Sequence, residues 1–429
     1  MSAPQTVRSA TNRLVVLTVL RWLPVGLQAP ITVLLAQSRG LSLAQIGLLF
    51  TVHGVVVVAL ELPTGGLADV LGRRPVVVTG AVLYLVSCLV FAVATSLAAF
   101  LAGILLLGVG RALDSGPVEA WYVDTVHRID PAADVAPGLS RHSAADGGSL
   151  ALGAVLGGLT PGLLGGSGGS ALALPYVGAA VLALIFIVAV LSLLTEDRPP
   201  RAGSVRAAVA AGARAVPGTV AGAQRLSVSD GPMRLVLLLT AAGGVALVAC
   251  ELLGPVRFAA LAGGADDGAA VYGTALAVSF GVAAVGAMAA PALRRLVRGS
   301  TRVTCAVLTL LGAGGIALLT GPDLLLVAAL GFAAYYLAHG ATWPLQSAVL
   351  HSRVTAAHRA TAVSAMSLAM ALGGILGNLV IPGLAATVSL DAAFLAVTAV
   401  VLVAAGACLR LPRTAPADAA LAEAQQAAG

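Results

Sequence analysis

The chain has 429 residues, of which 59% are hydrophobic and 10% are charged, and its mean hydropathy is +0.99. Soluble domains carry roughly 25% charged residues, so this composition excludes a soluble globular protein and indicates a multi-span membrane protein. The formal net charge is +6, and all 24 basic residues are arginines, which together with the excess of alanine, glycine and valine favours a bacterial source with GC-rich codons.

Twelve apolar segments of about 18 residues or more follow one another along the chain. The first segment follows Arg8 and Arg13, and it exceeds the apolar core of a signal peptide, so we interpret it as an uncleaved first span. This pattern predicts an all-α membrane protein with twelve transmembrane helices. The predicted spans begin near residues 14, 42, 75, 98, 143, 171, 234, 269, 302, 323, 361 and 391.

A longer polar loop divides the spans into two sets of six. It contains Arg206, Arg214 and Arg225 on an alanine-rich background, which is consistent with a surface helix beside the membrane or with a solvated linker. The predicted domains are an N-terminal six-helix half (1–195), a cytoplasmic linker (196–233), a C-terminal six-helix half (234–412) and a cytoplasmic tail (413–429).

The distribution of arginine between the loops predicts the orientation of the chain. If the N-terminus lies in the cytoplasm, the outer loops carry Arg39 together with four aspartates, and the other loop arginines lie inside. This bias accounts for most of the net charge without a nucleic-acid partner. We therefore expect a multi-pass protein of the bacterial cytoplasmic membrane, with both termini in the cytoplasm.

The two halves are related in sequence. A shift of 221 residues aligns the arginine pair at 73–74 with the pair at 294–295, and it aligns Pro-Gly-Leu at 161–163 with the same triplet at 382–384. Two pseudo-symmetric six-span halves in parallel repeat are typical of secondary transporters, whose substrate site lies where the halves meet.

A compact group of glycines and charges lies between the second and third spans, in the stretch GGLADVLGRR. Glycine lets helices approach closely, and a carboxylate near a helix N-terminus is stabilised by the unpaired amides there. The stretch resembles the G-x-x-x-D-x-x-G-R-R motif of the major facilitator superfamily, whose twelve-span layout the chain also shares. The motif positions are filled by Gly65, Asp69, Gly72, Arg73 and Arg74.

The resemblance implies a conformational latch that joins the halves while the outward-facing state is populated. In that family the motif arginine pairs with an acid at the inner end of span four, and Asp124 stands at that position. The latch would consist of Gly65, Asp69, Gly72, Arg73, Arg74 and Asp124. The alternative is that Arg73 and Arg74 are ordinary anchors of the positive-inside rule.

Several ionisable side chains lie within the predicted spans, where their cost suggests a functional site. Arg111 and Asp114 are three residues apart on one helical face and are positioned to pair. The first half holds one more acid than base within its spans, and an acid without a partner can bind and release a proton. The candidates for proton coupling are Glu61, which we prefer, and Glu119, Asp114, Arg111, Arg21 and Glu251. A static, fully paired network is the alternative.

Polar and aromatic side chains on the spans expected to line the cavity are candidates for substrate binding. Span ten carries most of them in the stretch YYLAHGATWPLQ, with a histidine at mid-span. The alternative for such a histidine is a core residue with its hydrogen bonds satisfied. The candidates are Gln28, His53, Tyr336, His339, Trp343, Gln346 and Asn378.

No Walker motif and no spaced set of metal ligands is present in the sequence, so we expect no ATP hydrolysis, cofactor or metal site. The four cysteines are isolated in apolar runs, which argues against a disulfide framework. Span five, GAVLGGLTPGLLGG, is similar to the glycine- and proline-rich motif of the drug:proton antiporter branch, although Gly158 replaces its proline, which appears later as Pro161.

Together, the resemblance implies a secondary transporter rather than an enzyme. It would work by alternating access as a monomer in the bilayer, with protons and a small molecule as partners. The preferred function is proton-driven export of a small amphipathic organic compound, such as a drug or secondary metabolite. The alternatives are nutrient uptake by proton symport, and a receptor or lipid-handling protein with the same fold but no coupled transport.

Overall fold

The computed structural model describes residues 6–64, 67–114, 116–164, 170–196, 230–321, 323–354 and 359–412, together with 204, 206, 207, 209–212 and 214. Within these residues the chain is built from helices and contains no strand. The predicted tail and about two thirds of the predicted linker lie outside this described part.

The first half of the chain contains helices of very different length. Its two shortest helices, of seven and five residues, each adjoin a longer helix of 22 residues. The helices are α1 (Val7–Gln28), α2 (Thr32–Ser38), α3 (Leu43–Thr64), α4 (Leu67–Leu71), α5 (Arg73–Val93), α6 (Leu97–Leu113), α7 (Pro117–Ile129), α8 (Ala136–Leu164) and α9 (Leu174–Leu193).

The second half of the chain consists of longer, uninterrupted helices. They are α10 (Gly231–Ala262), α11 (Ala265–Leu296), α12 (Thr301–Ala317), α13 (Leu325–His351), α14 (Arg359–Thr387) and α15 (Leu390–Cys408). Among the described residues, twelve helical segments are long and apolar enough to cross a membrane, which confirms the predicted number. Each begins within seven residues of its predicted start.

The fourth span is broken between α6 and α7. Asp114 ends α6 with φ −92° and ψ 5°, and its backbone N–H donates to the carbonyl of Gly110. Gly116 has a left-handed φ of 91°, which glycine adopts without a Cβ clash, and Pro117 follows at the first position of α7. The predicted single helix is therefore two helices, and an acidic side chain lies at the break.

Small residues allow α1 and α8 to pack closely. Gly153 and Gly157 of α8 face the α1 backbone at Leu23, Gly26 and Leu27, where an added Cβ would collide with backbone atoms. Helix association in lipid depends on such packing, because lipid tails are as apolar as the side chains. The pair therefore needs glycine at these positions, and it holds α1 in place beside the charged groups described below.

The chain forms two compact units. The first comprises Met1–Thr219, Glu251–Gly281 and Asn378–Leu390, and the second comprises Val220–Cys250, Val282–Gly377 and Asp391–Gly429. Three helices of the second half, α10, α11 and α14, contribute residues to both units. The functional division into six-helix halves at the middle loop stays a prediction from the sequence.

Within the first unit, α3 and α14 make a close backbone contact. Gly47 of α3 faces the carbonyl oxygen of Asn378 and the ring of Pro382, and a Cβ at position 47 would overlap both. The side chain of Asn378, a predicted substrate ligand, is buried, and its Oδ1 has no hydrogen-bond partner among the described residues.

Candidate functional site

A cavity of about 190 Å³ lies in the first unit, among α1, α3, α5, α6 and α9. Most of its wall is apolar, and its polar groups come from few positions. These include five predicted site residues that the structure brings together: Arg21, Gln28, His53, Arg111 and Asp114. Trp22 and Tyr84 also line the cavity, and the sequence analysis did not select either of them.

An ion pair between Arg21 and Asp114 forms part of the cavity wall. Nε of Arg21 donates to Oδ2 of Asp114, and Nη2 of Arg21 donates to the backbone carbonyl of Asp114 at 3.0 Å. The two side chains are 14% and 16% exposed, a setting in which each charge depends on its partner. The sequence predicted a pair of Asp114 with Arg111 instead; the hydrogen-bonded partner of the carboxylate is Arg21, and Arg111 acts on it only electrostatically.

Two guanidinium groups lie against the indole ring of Trp22. Cζ of Arg21 is 4.7 Å from the ring centroid, and Cζ of Arg111 is 4.9 Å from it. Such cation–π contacts contribute about 0.5–2 kcal/mol each, depending on desolvation. In the described part of the chain no ion pair or hydrogen bond joins Arg111 to a carboxylate, and its side chain is exposed. The acids in its electrostatic surroundings are Asp114, Glu61 and Asp146.

Hydrogen bonds among Gln28, Tyr84 and Cys88 connect α1 to α5. Nε2 of Gln28 donates to the hydroxyl of Tyr84 at 2.7 Å and to Sγ of Cys88 at 3.0 Å. By contrast, Nε1 of Trp22 and Nδ1 of His53 are buried and have no hydrogen-bond partner in the described residues. Because buried polar atoms are ordinarily satisfied, these two atoms favour a polar group on a ligand.

A second polar group adjoins the cavity and is centred on His142 of α8, which the sequence analysis missed. Nε2 of His142 is 3.0 Å from Oε1 of Glu119, and Nδ1 is 2.6 Å from Oγ1 of Thr18. A small pocket is lined by these three residues together with Arg21 and Asp114. His142 is buried and the side chain of Glu119 is 51% exposed, so a hydrogen-bonded chain leads from the pocket that the ion pair also lines toward an exposed carboxylate.

The predicted latch is described in part. Gly65 lies outside the described residues, and so does the side chain of Asp69. Nη2 of Arg73 donates to Oδ2 of Asp124 at 2.7 Å, and the two side chains are 23% and 37% exposed. Gly72, the last residue before α5, has a φ of 91°, a conformation that favours glycine.

Further contacts tie the C-terminal end of α9 to the latch. The backbone N–H of Arg73 donates to the carboxylate of Glu196, and Nη2 of Arg74 donates to the carbonyl of Leu191. Nε1 of Trp121 donates to the carbonyl of Thr195 at 2.9 Å. Glu196 thus satisfies the backbone amide of Arg73, the same arginine whose side chain pairs with Asp124, a role that the sequence did not suggest.

The span-ten candidates divide between two environments in the second unit. His339 and Gln346 line a smaller cavity of about 50 Å³, and the ring of His339 stacks on Tyr335 with 5.8 Å between centroids. Oε1 of Gln346 accepts from Thr240 at 3.3 Å. Trp343 and Tyr336 do not line this cavity; Trp343 is 36% exposed and Tyr336 is buried.

The two remaining acids predicted for coupling lie elsewhere. Glu61 is exposed near the C-terminal end of α3, and it does not line the first-unit cavity. Glu251 is an exposed side chain of α10 that lines neither cavity. Glu61 thus acts electrostatically on Arg111 from outside the cavity wall, whereas Glu251 lines neither cavity.

The chain is similar to known transporters in sequence pattern and in structure. The family model described as Major Facilitator Superfamily matches residues 14–354. The nucleoside transporter NupG is similar in structure, with a TM-score of 0.76 and 14% sequence identity over 94% of this chain and 98% of NupG. No curated protein matches the chain.

Two other solved structures show the same likeness. A bacterial homologue of the human lysosomal transporter Spinster has a TM-score of 0.71 and 16% identity over 97% of this chain and 100% of its own. A human organic anion transporter has a TM-score of 0.60 and 19% identity over 95% of this chain and 100% of its own. At these identities the likeness establishes the fold alone.

Proposed function

Because the chain belongs to the major facilitator superfamily, a family of transporters, we propose that it exports a small amphipathic organic compound in exchange for protons. Alternating access would come from movement of its two six-span halves, residues 1–195 and 234–412. The arginine distribution favours the bacterial cytoplasmic membrane, with both termini in the cytoplasm.

The ion pair between Arg21 and Asp114 beside the first-unit cavity is the observation that carries the proposal. Charged groups inside a membrane protein are costly and are retained mainly where ions or substrates pass. Protonation of Asp114 would remove the carboxylate that holds Arg21 and would leave two guanidinium groups against Trp22. Arg21 would then seek another partner, so proton binding would change the charge that the cavity presents to a substrate.

The geometry favours Asp114 over Glu61 as the residue that carries the proton. Asp114 lines the cavity and lies at the break of span four, where a change of helix direction can alter its surroundings. The chain of Thr18, His142 and Glu119 would supply a proton route between this carboxylate and an exposed surface. Glu61, the residue preferred from the sequence, does not line the cavity, and it serves as the comparison in the test.

The pair of Arg73 and Asp124 supports the latch as a second part of the proposal. The hydrogen bond between these side chains, 2.7 Å long, joins the start of α5 to α7, the second helix of the broken span. Movement of α7 would therefore be transmitted to α5 through one exchangeable ion pair. That link would connect protonation near the break to the motif between spans two and three.

The proposal can be tested with purified protein in proteoliposomes under an imposed pH gradient and a panel of labelled compounds. An acidic interior should drive accumulation by exchange, because protons leave as substrate enters. Asp114→Asn should lose this accumulation and keep gradient-free counterflow. Glu61→Gln should keep both activities, and Asp267→Asn, which removes an exposed acid in the first turn of α11, is the control.

The other outcomes of this experiment would distinguish between the alternative functions. Accumulation driven only by an acidic exterior would make the protein a symporter. Binding without movement of any compound in either direction would favour a receptor or lipid-handling role. Retained accumulation in Asp114→Asn together with its loss in Glu61→Gln would return the coupling role to Glu61.

A further inference from the structure

The first-unit cavity carries an excess of positive charge next to an aromatic ring, and we infer that its ligand is an organic anion. The ligand would place a carboxylate, or a similarly shaped anionic group, on Arg111 and an apolar body against the remaining wall. This inference deepens the proposed function and rests on it for the direction of transport. The binding preference itself is measurable without transport.

The charges that line the cavity do not balance. Arg21, Arg111 and Asp114 are its charged residues, and Asp114 is already bound to Arg21 through its side chain and its backbone carbonyl. Arg111 has no such hydrogen-bonded partner in the described structure, and Glu61 and Asp146 belong to its electrostatic surroundings without lining the cavity. A monoanionic ligand would neutralise the cavity, whereas a cationic ligand would add a third positive charge beside two guanidinium groups.

The position of Arg111 suits recognition of a planar anion. Its Cζ lies over the Trp22 ring at 4.9 Å from the centroid, and among the described residues no carboxylate forms a hydrogen bond or ion pair with its N–H groups. Arginine binds carboxylates through two parallel hydrogen bonds of this kind, which are stronger than bonds between neutral groups. A neutral ligand could accept hydrogen bonds from Arg111 but would leave its charge uncompensated as the ligand covers it, and covering an uncompensated charge is costly.

The size and composition of the wall define the rest of the ligand. A volume of about 190 Å³ equals roughly six times the share of one water molecule in the liquid, so the ligand is compact. Leu20, Val25, Leu107 and Phe186 supply apolar surface for its body. The unpartnered Nε1 of Trp22 and Nδ1 of His53 favour at most a few further polar atoms.

Three probes that differ only in their head group test the inference: 4-phenylbutyrate, 4-phenylbutyramide and 4-phenylbutylamine. Their binding to the purified protein in nanodiscs, with no gradient, can be measured by tryptophan fluorescence, because Trp22 lines the cavity. The anion should bind roughly 10- to 100-fold more tightly than the amide, the range expected for a charge-assisted hydrogen-bonded pair. The amine should bind most weakly.

Variants of Arg111 then assign the preference to one residue. Arg111→Gln should bind the anion and the amide equally, and Arg111→Lys should keep part of the preference. Arg8→Gln removes an exposed arginine from α1 and should leave the ratio unchanged. Gel filtration and the melting temperature show whether each variant is folded, and the head-group comparison in the unmodified protein needs no variant.

Equal binding of anion and amide by the unmodified protein, or tighter binding of the amine, would overturn the inference. An unchanged ratio in Arg111→Gln would also overturn it. These outcomes are separate from a failure of the proposed function. If the protein prefers the anion but transports nothing under a pH gradient, the inference stands and the transport proposal is wrong. If it transports a compound uphill but shows no preference for the anion, the transport proposal stands and the inference is wrong.

Discussion

Arg21 and Asp114 should be strongly coupled in stability, and the two single substitutions should differ in cost. Asp114→Asn leaves Arg21 and Arg111 as two positive charges at Trp22, with no carboxylate in the cavity wall. Arg21→Gln leaves Asp114, but Arg111 remains near enough to act on it electrostatically. The loss of the acid should therefore destabilise the protein more than the loss of the arginine.

The magnitudes follow from the burial of the pair. Removal of one partner from a buried ion pair costs about 3–5 kcal/mol, and the low exposure of both side chains places Asp114→Asn in that range. Arg111 also acts electrostatically on this carboxylate and should offset part of the loss, so Arg21→Gln should cost less, about 1–3 kcal/mol. In the double variant the losses should not add, and the interaction energy should be at least about 1 kcal/mol.

The free energy of unfolding of all four proteins can be measured by denaturant titration in mixed micelles, followed by tryptophan fluorescence. The reasoning would be refuted by the reverse order of the single variants. It would also be refuted by a double variant whose loss equals the sum of the single losses within about 0.5 kcal/mol, the scatter expected for independent sites.

Three further predictions concern packing, the latch and the second cavity. Gly157→Ala should destabilise the protein by about 1–3 kcal/mol in the same unfolding assay, because the added Cβ would meet the α1 backbone. In the control Gly162→Ala, on the same helix, the added Cβ meets nothing, and the free energy of unfolding should change by less than about 0.5 kcal/mol. Arg73→Asp and Asp124→Arg should each lower the initial rate of transport, and their combination should recover part of it; no recovery would count against a direct functional pair. A cysteine at His339, in a background without the four native cysteines, should be labelled more slowly by maleimide at saturating substrate, and an equal rate would assign His339 to structure alone.

The number of spans was predictable because membrane thickness imposes a length on every apolar segment. That rule counts apolar residues and does not detect a change of direction inside a run. α6 and α7 together satisfy the length of one span, so the break between Asp114 and Gly116 was missed. The signal was present in Gly116-Pro117, a dipeptide that marks turns.

The partners of the charged residues were harder to predict than their positions. Arg111 is three residues from Asp114 in sequence, but the observed partner, Arg21, is 93 residues away on another helix. Which arginine pairs with Asp114 depends on the rotation of α1 about its axis and on where α6 ends. The pattern of apolar residues in the sequence determines neither. His142 was missed for a simpler reason: the predicted span began at residue 143, whereas α8 begins at Ala136, so the histidine was assigned to a loop.

The contact between Gly47 and the α14 backbone has a consequence for biosynthesis. Gly47 is covered by Asn378 and Pro382, which are translated about 330 residues later than Gly47 itself. At roughly 5–20 residues per second, α3 stays in the bilayer for about 20–70 s before its partner leaves the ribosome. The helix tolerates this interval because its backbone hydrogen bonds are satisfied internally. Until α14 arrives, lipid contacts α3 at Gly47, and α14 must displace this lipid when it packs there.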